Sequence, residues 1–380
     1  MVPSVSSNRS RSIDLLRGFV MVLMSLDHTR DFFSGYSPPD LTHATLVFFI
    51  TRWITHLCAP TFMFLAGMGA RLSVRAGDPP SKLRNFLIQR GLWLILLEIV
   101  IISPAWKGSL TYASIPLLVI WALGWSMISL SFVSGLPEKI IGCLALLIIV
   151  SHNLFDSIPT ASFGSMGWLW NILHEPGEIS IGITNLHIGY PLVPWIGVMM
   201  AGYAFGGWWN RMATKKVATC FKLGLVLLAT FIVLRGVNVY GDPKEWVRLV
   251  DLRMTVQSFF DLCKYPPSLD YCLVTLGISL CLLALFERWS PKFLEPLNVF
   301  GRVPMFYYIL HLHLIHLLAF VVACVTLNAI PSYDLLNAPP SGWGFGFPVV
   351  YVIWVLINLS LYPLCLWYSR LKAKSKNPWL

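Results

Sequence analysis

Apolar residues run in stretches of about twenty along nearly the whole chain, separated by short polar or charged clusters. A stretch of about 20 predominantly apolar residues crosses a bilayer as a helix. Apolar length and polar breaks together predict about ten spans, near 13–33, 46–70, 86–103, 114–133, 139–155, 189–209, 217–234, 271–287, 303–327 and 345–368. No soluble domain fits between them, and no internal repeat stands out. The pattern predicts an all-α integral membrane protein: about ten transmembrane helices in one bundle with a central cavity, residues 1–380 forming a single domain.

Two connections on one face are long, at about 156–188 and 235–270. In the second, apolar positions at Trp246, Val247, Leu249, Val250, Leu252 and Met254 alternate with charges, which predicts an interfacial amphipathic helix. Long structured loops on one face shape ligand sites or lids. Trp195 and Trp246 sit beside helix breakers or charges on that same face.

Composition agrees with the pattern. Only 12% of the 380 residues are charged, and mean hydropathy is +0.67. Soluble domains carry about a quarter charged residues, so the chain reads as multi-pass. The net charge of +10 would suggest nucleic acid in a soluble protein, but here it marks the cytoplasmic face. Most of the 28 Lys and Arg fall on one side when the N-terminus is placed in the cytoplasm, from Arg9 and Arg11 through Arg71, Arg75 and Arg84 to Lys374 and Lys376. Both termini are therefore expected inside, with the protein in the inner (cytoplasmic) membrane. The first apolar stretch lacks a small-residue cleavage site and reads as a retained span. Eight scattered cysteines form no Cys-x-x-Cys pair, so they read as small buried hydrophobes.

Ionisable residues inside spans are the candidate chemistry, because each costs roughly 2.5–3.5 kcal/mol to insert. The first span, IDLLRGFVMVLMSLDHTRDFF, carries Asp14 and Arg17 at its start and Asp27, His28, Arg30 and Asp31 at its finish. Asp14 and Arg17 share a helix face near the cytoplasmic surface, suited to a phosphate-bearing ligand. His28 and Asp31 are three residues apart, so the carboxylate is expected on the imidazole, fixing its tautomer as a general base needs. In the second span Arg52 and His56 are four apart and fall at a similar depth. A cluster of His28, Asp31, Arg52 and His56 follows from a helical hairpin. Pro60, Gly67 and Gly69 then suggest a kink and close packing. The ninth span holds His311, His313 and His316. Positions 311 and 313 lie about 200° apart on a helix, so a metal site is not expected, whereas cavity lining is.

Several strings carry a resemblance. R-S-I-D-L-L-R-G followed by His28, fourteen residues after Asp14, is similar to the opening helix of the transmembrane acyltransferase superfamily. LDHTRDFF, TRWITHLCAPTFMFLAG, GYPLVPWIGVMMAGYAFG, KYPPSLDYCLVTLG and GRVPMFYYILHLHLIHLL resemble bacterial membrane proteins of the heparan-alpha-glucosaminide N-acetyltransferase-like group. The resemblance implies that cytosolic acetyl-CoA is the donor substrate and that an extracytoplasmic acceptor, a saccharide by analogy, receives the acetyl group. His28 occupies the superfamily's polar position on the first helix. The glucosaminide enzyme places Asn there and a catalytic His in the next outer loop, where this chain offers His43. It also has an Asp where this chain has His56. Given that chemistry, His28 and Asp31 would act as base and partner, Arg52 would stabilise the oxyanion, and Arg71, Arg75, Arg84 and Arg90 would form a basic inner mouth for the CoA phosphates. The expected partners are the bilayer, acyl-CoA and the acceptor. The rival reading is a secondary transporter that uses the same charges for ion or proton coupling.

Overall fold

The computed structural model describes residues 10–34, 41–75, 77–328, 330 and 342–375. Arg9 and Lys376, part of the charge bias, lie outside them. Helix α1 (Arg11–Phe33) forms the axis of the bundle. It packs against α2 (Leu46–Thr55), α3 (Cys58–Leu72), α12 (Leu269–Arg288), α13 (Glu295–Arg302), α14 (Pro304–Leu327) and α15 (Phe347–Lys374) once the chain has closed. Most of its side chains, including Asp14, His28 and Arg30, are buried. A helix surrounded by other helices can carry charges that a lipid-facing helix cannot.

The remaining helices form the outer walls. They are α4 (Pro80–Leu97), α5 (Ser103–Lys107), α6 (Val119–Val133), α7 (Glu138–Ser151), α8 (Gly167–Leu173), α9 (Leu192–Arg211), α10 (Lys216–Val237) and α11 (Leu252–Phe260). Among the described residues seven helical segments are long and apolar enough to cross a membrane. Their outward faces carry exposed apolar side chains such as Leu146, Leu147, Val233 and Leu359, as expected of a multi-pass protein bathed in lipid. Each of the ten expected spans has a helical counterpart. Three of these counterparts are not among the seven, however: α1 carries too many charges, α6 is short, and α9 is diluted by Gly and Trp.

Small residues let helices meet closely. A Cβ on Gly18 would lie 1.8 Å from the Leu297 carbonyl oxygen, and one on Gly301 would lie 1.9 Å from that of Asp14, so α1 and α13 touch backbone to backbone. Gly67 and Gly202 do the same for α3 and α9, each with a neighbouring carbonyl 1.9 Å from the added atom.

The structure corrects three local expectations. The second span breaks at His56–Leu57 rather than bending at Pro60, which sits in the first turn of α3 where its missing N–H is harmless. The fourth span does not begin as helix. Ser114–Leu117 is a strand, β1, which pairs in parallel with β3 (Thr184–Ile188), itself hairpinned to β2 (Gly177–Ile181). The amphipathic helix of the second long connection lies at α11, later than Trp246–Val250, because Asp251 caps it by accepting from the Arg253 N–H at 2.7 Å.

Two buried ionisable residues shape the walls. Glu98, fully buried in a π-turn after α4, accepts from the backbone N–H groups of Leu118 and Trp121, both at 3.2 Å. It thereby caps α6, whose first N–H groups carry partial positive charge. Arg235, at the end of α10, donates to the carbonyls of Lys244, Ser258 and Phe259 at 2.8–3.2 Å and faces Asp242 at 3.9 Å. One guanidinium thus holds the connection 238–268 in place.

Candidate active site

Positions 17, 21, 24 and 28 follow one another on a single face of α1. Arg17, Met21, Met24 and His28 all line a cavity of about 170 Å³, which α3, α6 and the start of α14 complete. The rise from Arg17 to His28 is about 16 Å, roughly half of a hydrocarbon core. One end is bounded by Arg17, Pro304 and Met305, and the other by Asp27, His28, Tyr190 and Lys264. Between them the walls are apolar, with Cys58, Phe62, Ala66 and Leu123 facing the two methionines.

At the far end the hydrogen bonds of His28 fix its chemistry. Its Nδ1 lies 2.8 Å from Nε2 of His311, and the two rings stack with centroids 4.9 Å apart. His311 Nδ1 is 2.9 Å from the Tyr307 carbonyl, an acceptor only, so this nitrogen donates. Neutral His311 is then left with a lone pair on Nε2, which accepts from the Nδ1–H of His28. His28 therefore carries its own lone pair on Nε2. Trp106 and Tyr308 meet the His28 ring edge-on at 4.7 and 6.1 Å and hold its plane. An imidazole with Nδ1–H engaged and Nε2 free has the form of a general base.

Asp27 is engaged from three directions. Its Oδ1 pairs with Arg30 Nη2 at 2.7 Å and accepts from Thr55 at 2.8 Å, while Oδ2 faces Lys264 Nζ at 3.8 Å. At the Arg17 end, the guanidinium donates to Asp14 at 3.0 Å and to the Gly301 carbonyl at 3.2 Å. Asp14 is thus the residue that orients Arg17.

Several of the expected groupings are not formed. Asp31 does not touch His28, because neighbouring Arg30 bridges Asp27 and Asp31, reaching the latter at 2.6 Å. Arg52 and His56 are not among the cavity-lining residues. The His56 ring packs on Tyr271, whose hydroxyl donates to the His56 carbonyl at 2.8 Å. Arg71 and Arg75 line a separate groove of about 610 Å³, where Arg71 pairs with Glu138 at 2.5 Å. Arg84 is exposed, its guanidinium over the Phe132 ring. Arg90 is half-buried, its guanidinium over the Phe86 ring, and it lines neither the cavity nor the groove. His43 is exposed, as is His313 on the outer face of α14. His316 is buried and lies 2.6 Å from the Ala105 carbonyl, against Phe32. Trp195 is buried beside Tyr190, and Trp246 donates to the Arg235 carbonyl. Among the described residues no group of His, Cys, Asp and Glu is arranged to hold a metal ion.

Sequence reasoning missed Lys264, Tyr190 and Tyr308, and it did not pair His311 with His28. Lys264 sits in a loop, where helical periodicity carries no information. It is also tightly placed. Tyr265 donates to Tyr190 at 3.1 Å, and Asp242 accepts from the Cys263 N–H at 2.9 Å and from Ser268 at 2.6 Å.

The fold and this site define a multi-pass helical membrane protein with a histidine-ended cavity inside its bundle. The family model of the heparan-alpha-glucosaminide N-acetyltransferase catalytic domain matches residues 9–240. The chain belongs to that family of membrane acetyltransferases. Among curated proteins none matches the sequence. The His28 end of the cavity draws on Lys264, Tyr308 and His311, all beyond the matched region.

Proposed function

We propose that the protein moves an acetyl group from cytosolic acetyl-CoA to a hydroxyl or amine of an extracytoplasmic acceptor, a saccharide by family analogy. On this reading it resides in the inner membrane with both termini in the cytoplasm, and residues 1–380 act as one unit. The observation that carries the proposal is the cavity along α1, which joins a guanidinium at one end to an imidazole with a free Nε2 at the other.

The chemistry follows from those two ends. Arg17, oriented by Asp14, suits a donor phosphate or the polar part of the pantetheine arm. The groove of Arg71 and Arg75 is a second place for the nucleotide, on the side where α3 ends. The apolar middle suits the slender arm and keeps water from the thioester. At the far end, His28 Nε2 accepts the proton of the acceptor hydroxyl or amine as that atom attacks the thioester carbon. The tetrahedral intermediate then expels the CoA thiolate, to which His28 returns the proton. A thioester is already activated, so positioning and one base suffice.

The test uses the full chain in proteoliposomes with radiolabelled acetyl-CoA outside and an extract of surface saccharides inside, in both orientations. Label transfer with CoA release is expected. It should fall roughly 10²–10⁴-fold in His28→Ala, the usual contribution of a general base. If the wild-type protein neither binds CoA nor releases its thiol, and catalyses proton-dependent uptake instead, the transferase reading fails.

A further inference from the structure

Resting on that reading, we propose that Lys264 is the oxyanion-stabilising residue of the acyl transfer. Its ammonium would lie against the thioester carbonyl oxygen as negative charge develops there.

Three observations lead to it. First, Lys264 lines the same end of the cavity as His28, whereas Arg30 and Arg52 do not line it. Arg17 is the other cation on the wall, and it stands about 16 Å away along α1. Second, the ammonium hydrogen-bonds the Tyr265 side chain, a neutral partner, and its carboxylate partner stands farther off. The pair with Asp27 Oδ2 is 3.8 Å long, beyond a direct hydrogen bond, and the other carboxylate oxygen, Oδ1, is held by Arg30 and Thr55. Only 14% of the Lys264 side chain is exposed, so water does little to satisfy the ammonium. Burial would push its pKa down, but Tyr265 and Asp27 outweigh burial, and the group stays an ammonium. Third, the loop is braced. The ammonium lies 5.2 Å above the Tyr265 ring, and Asp242, Ser268 and Tyr190 fix its neighbours. A preorganised donor in a water-poor site is what stabilises a developing charge, because it need not reorganise during the reaction.

The step balances. The acceptor oxygen or nitrogen forms a bond to the carbonyl carbon while His28 Nε2 takes its proton. The carbonyl π pair moves onto oxygen beside the Lys264 ammonium. When that pair returns, the carbon–sulfur bond breaks, and the thiolate leaves to collect the proton from His28.

Acetyl-CoA with water or hydroxylamine as the nucleophile tests this, because neither needs a saccharide site. The full chain in nanodiscs is compared with Lys264→Met and Lys264→Arg, reading CoA thiol release and CoA binding. For Lys264→Met, kcat should drop roughly 10²–10³-fold with either nucleophile, the usual loss for one oxyanion-hole donor. CoA affinity and thermal unfolding should stay close to wild type, and Lys264→Arg should recover part of the rate. Unchanged turnover in Lys264→Met overturns the assignment, as does a loss confined to CoA binding. Both outcomes leave the transferase reading standing. A wild-type protein that binds no CoA instead removes that reading and this one with it.

Discussion

Of the three histidines on α14, His311 alone touches His28, which makes a graded prediction possible. Replacing His311 with Leu removes the acceptor for the His28 Nδ1–H, 2.8 Å away, while keeping an apolar side chain of similar bulk. In the resting state the bond is neutral and contributes about 1 kcal/mol net, whereas a bond to a charged partner contributes about 1.5–3 kcal/mol. As His28 takes up the acceptor's proton it becomes an imidazolium, so the bond to His311 strengthens by about 0.5–2 kcal/mol at the transition state. At 1.36 kcal/mol per decade this predicts a roughly 2- to 30-fold fall in kcat for His311→Leu, with free tautomer exchange adding to the loss. His311→Gln, whose amide oxygen is an acceptor, should recover part of it.

The assay is single-turnover acetyl transfer by the full chain in nanodiscs, with thermal unfolding as the control for folding. His313→Leu is the internal control. That side chain is exposed and, among the described residues, bonds within its own helix to the Ile309 carbonyl. It should match wild type in both rate and stability. If His311→Leu turns over as fast as wild type while His28→Ala is inactive, the tautomer argument is wrong. If His313→Leu loses as much as His311→Leu, the effect comes from helix packing rather than from the dyad.

Other predictions concern packing and the outer connection. Gly301→Ala and Gly18→Ala each drive a methyl into a backbone carbonyl at 1.8–1.9 Å and should destabilise by about 1–3 kcal/mol or more, whereas Gly69→Ala, with nothing within 4 Å, should be neutral in the same unfolding assay. Arg235→Met strips the cation from buried Asp242, for which a loss of about 3–5 kcal/mol is expected, and limited proteolysis should then cut within 238–268. Glu98→Leu leaves the first N–H groups of α6 uncapped. A loss of about 1 kcal/mol or more, with faster amide exchange at 118–121, would show it, and unchanged exchange would refute the cap. The Lys264 pKa in the fold lies above its ordinary value, so its contribution to stability is complete below about pH 10 and fades only as pH rises through the higher value. The small difference in stability between Lys264→Met and wild type should therefore be constant between about pH 6 and about pH 9, and a difference that varies across that window would contradict the assignment.

Much of the architecture was legible because lipid forces a simple rule: apolar length makes helices. That rule led to the seven helical segments long and apolar enough to cross a membrane among the described residues, and it marked α1 as unusual by its charges. It was blind to pairing. Whether His28 would meet Asp31 or His311 depends on Arg30, which takes both neighbouring carboxylates, and on the rotation of α14 relative to α1. Charge bias likewise grouped Arg71, Arg75 and Arg84 on one side without saying that Arg84 turns away onto Phe132. Strand β1 was hidden inside an apolar run because its partner, β3, lies some seventy residues on. Lys264 left no signal in charge or period, since a lone lysine in a loop looks like any surface charge, and it stood only as the first residue of the string KYPPSLDYCLVTLG.

The contrast between the two ends of α1 and its middle bears on how the protein works. An ion-coupled transporter needs polar groups along the route its cargo takes, or a hinge that exposes one site alternately to each side. Here the α1 residues between Arg17 and the Asp27–His28 end of the cavity are Met21 and Met24, faced by Phe62, Ala66 and Leu123. Such a lining solvates neither an ion nor a sugar. It does suit an uncharged, narrow group threaded from one end, whose reactive carbon stops beside His28 and Lys264. On this reading the bundle remains closed to both substrates, and only the acetyl group changes sides.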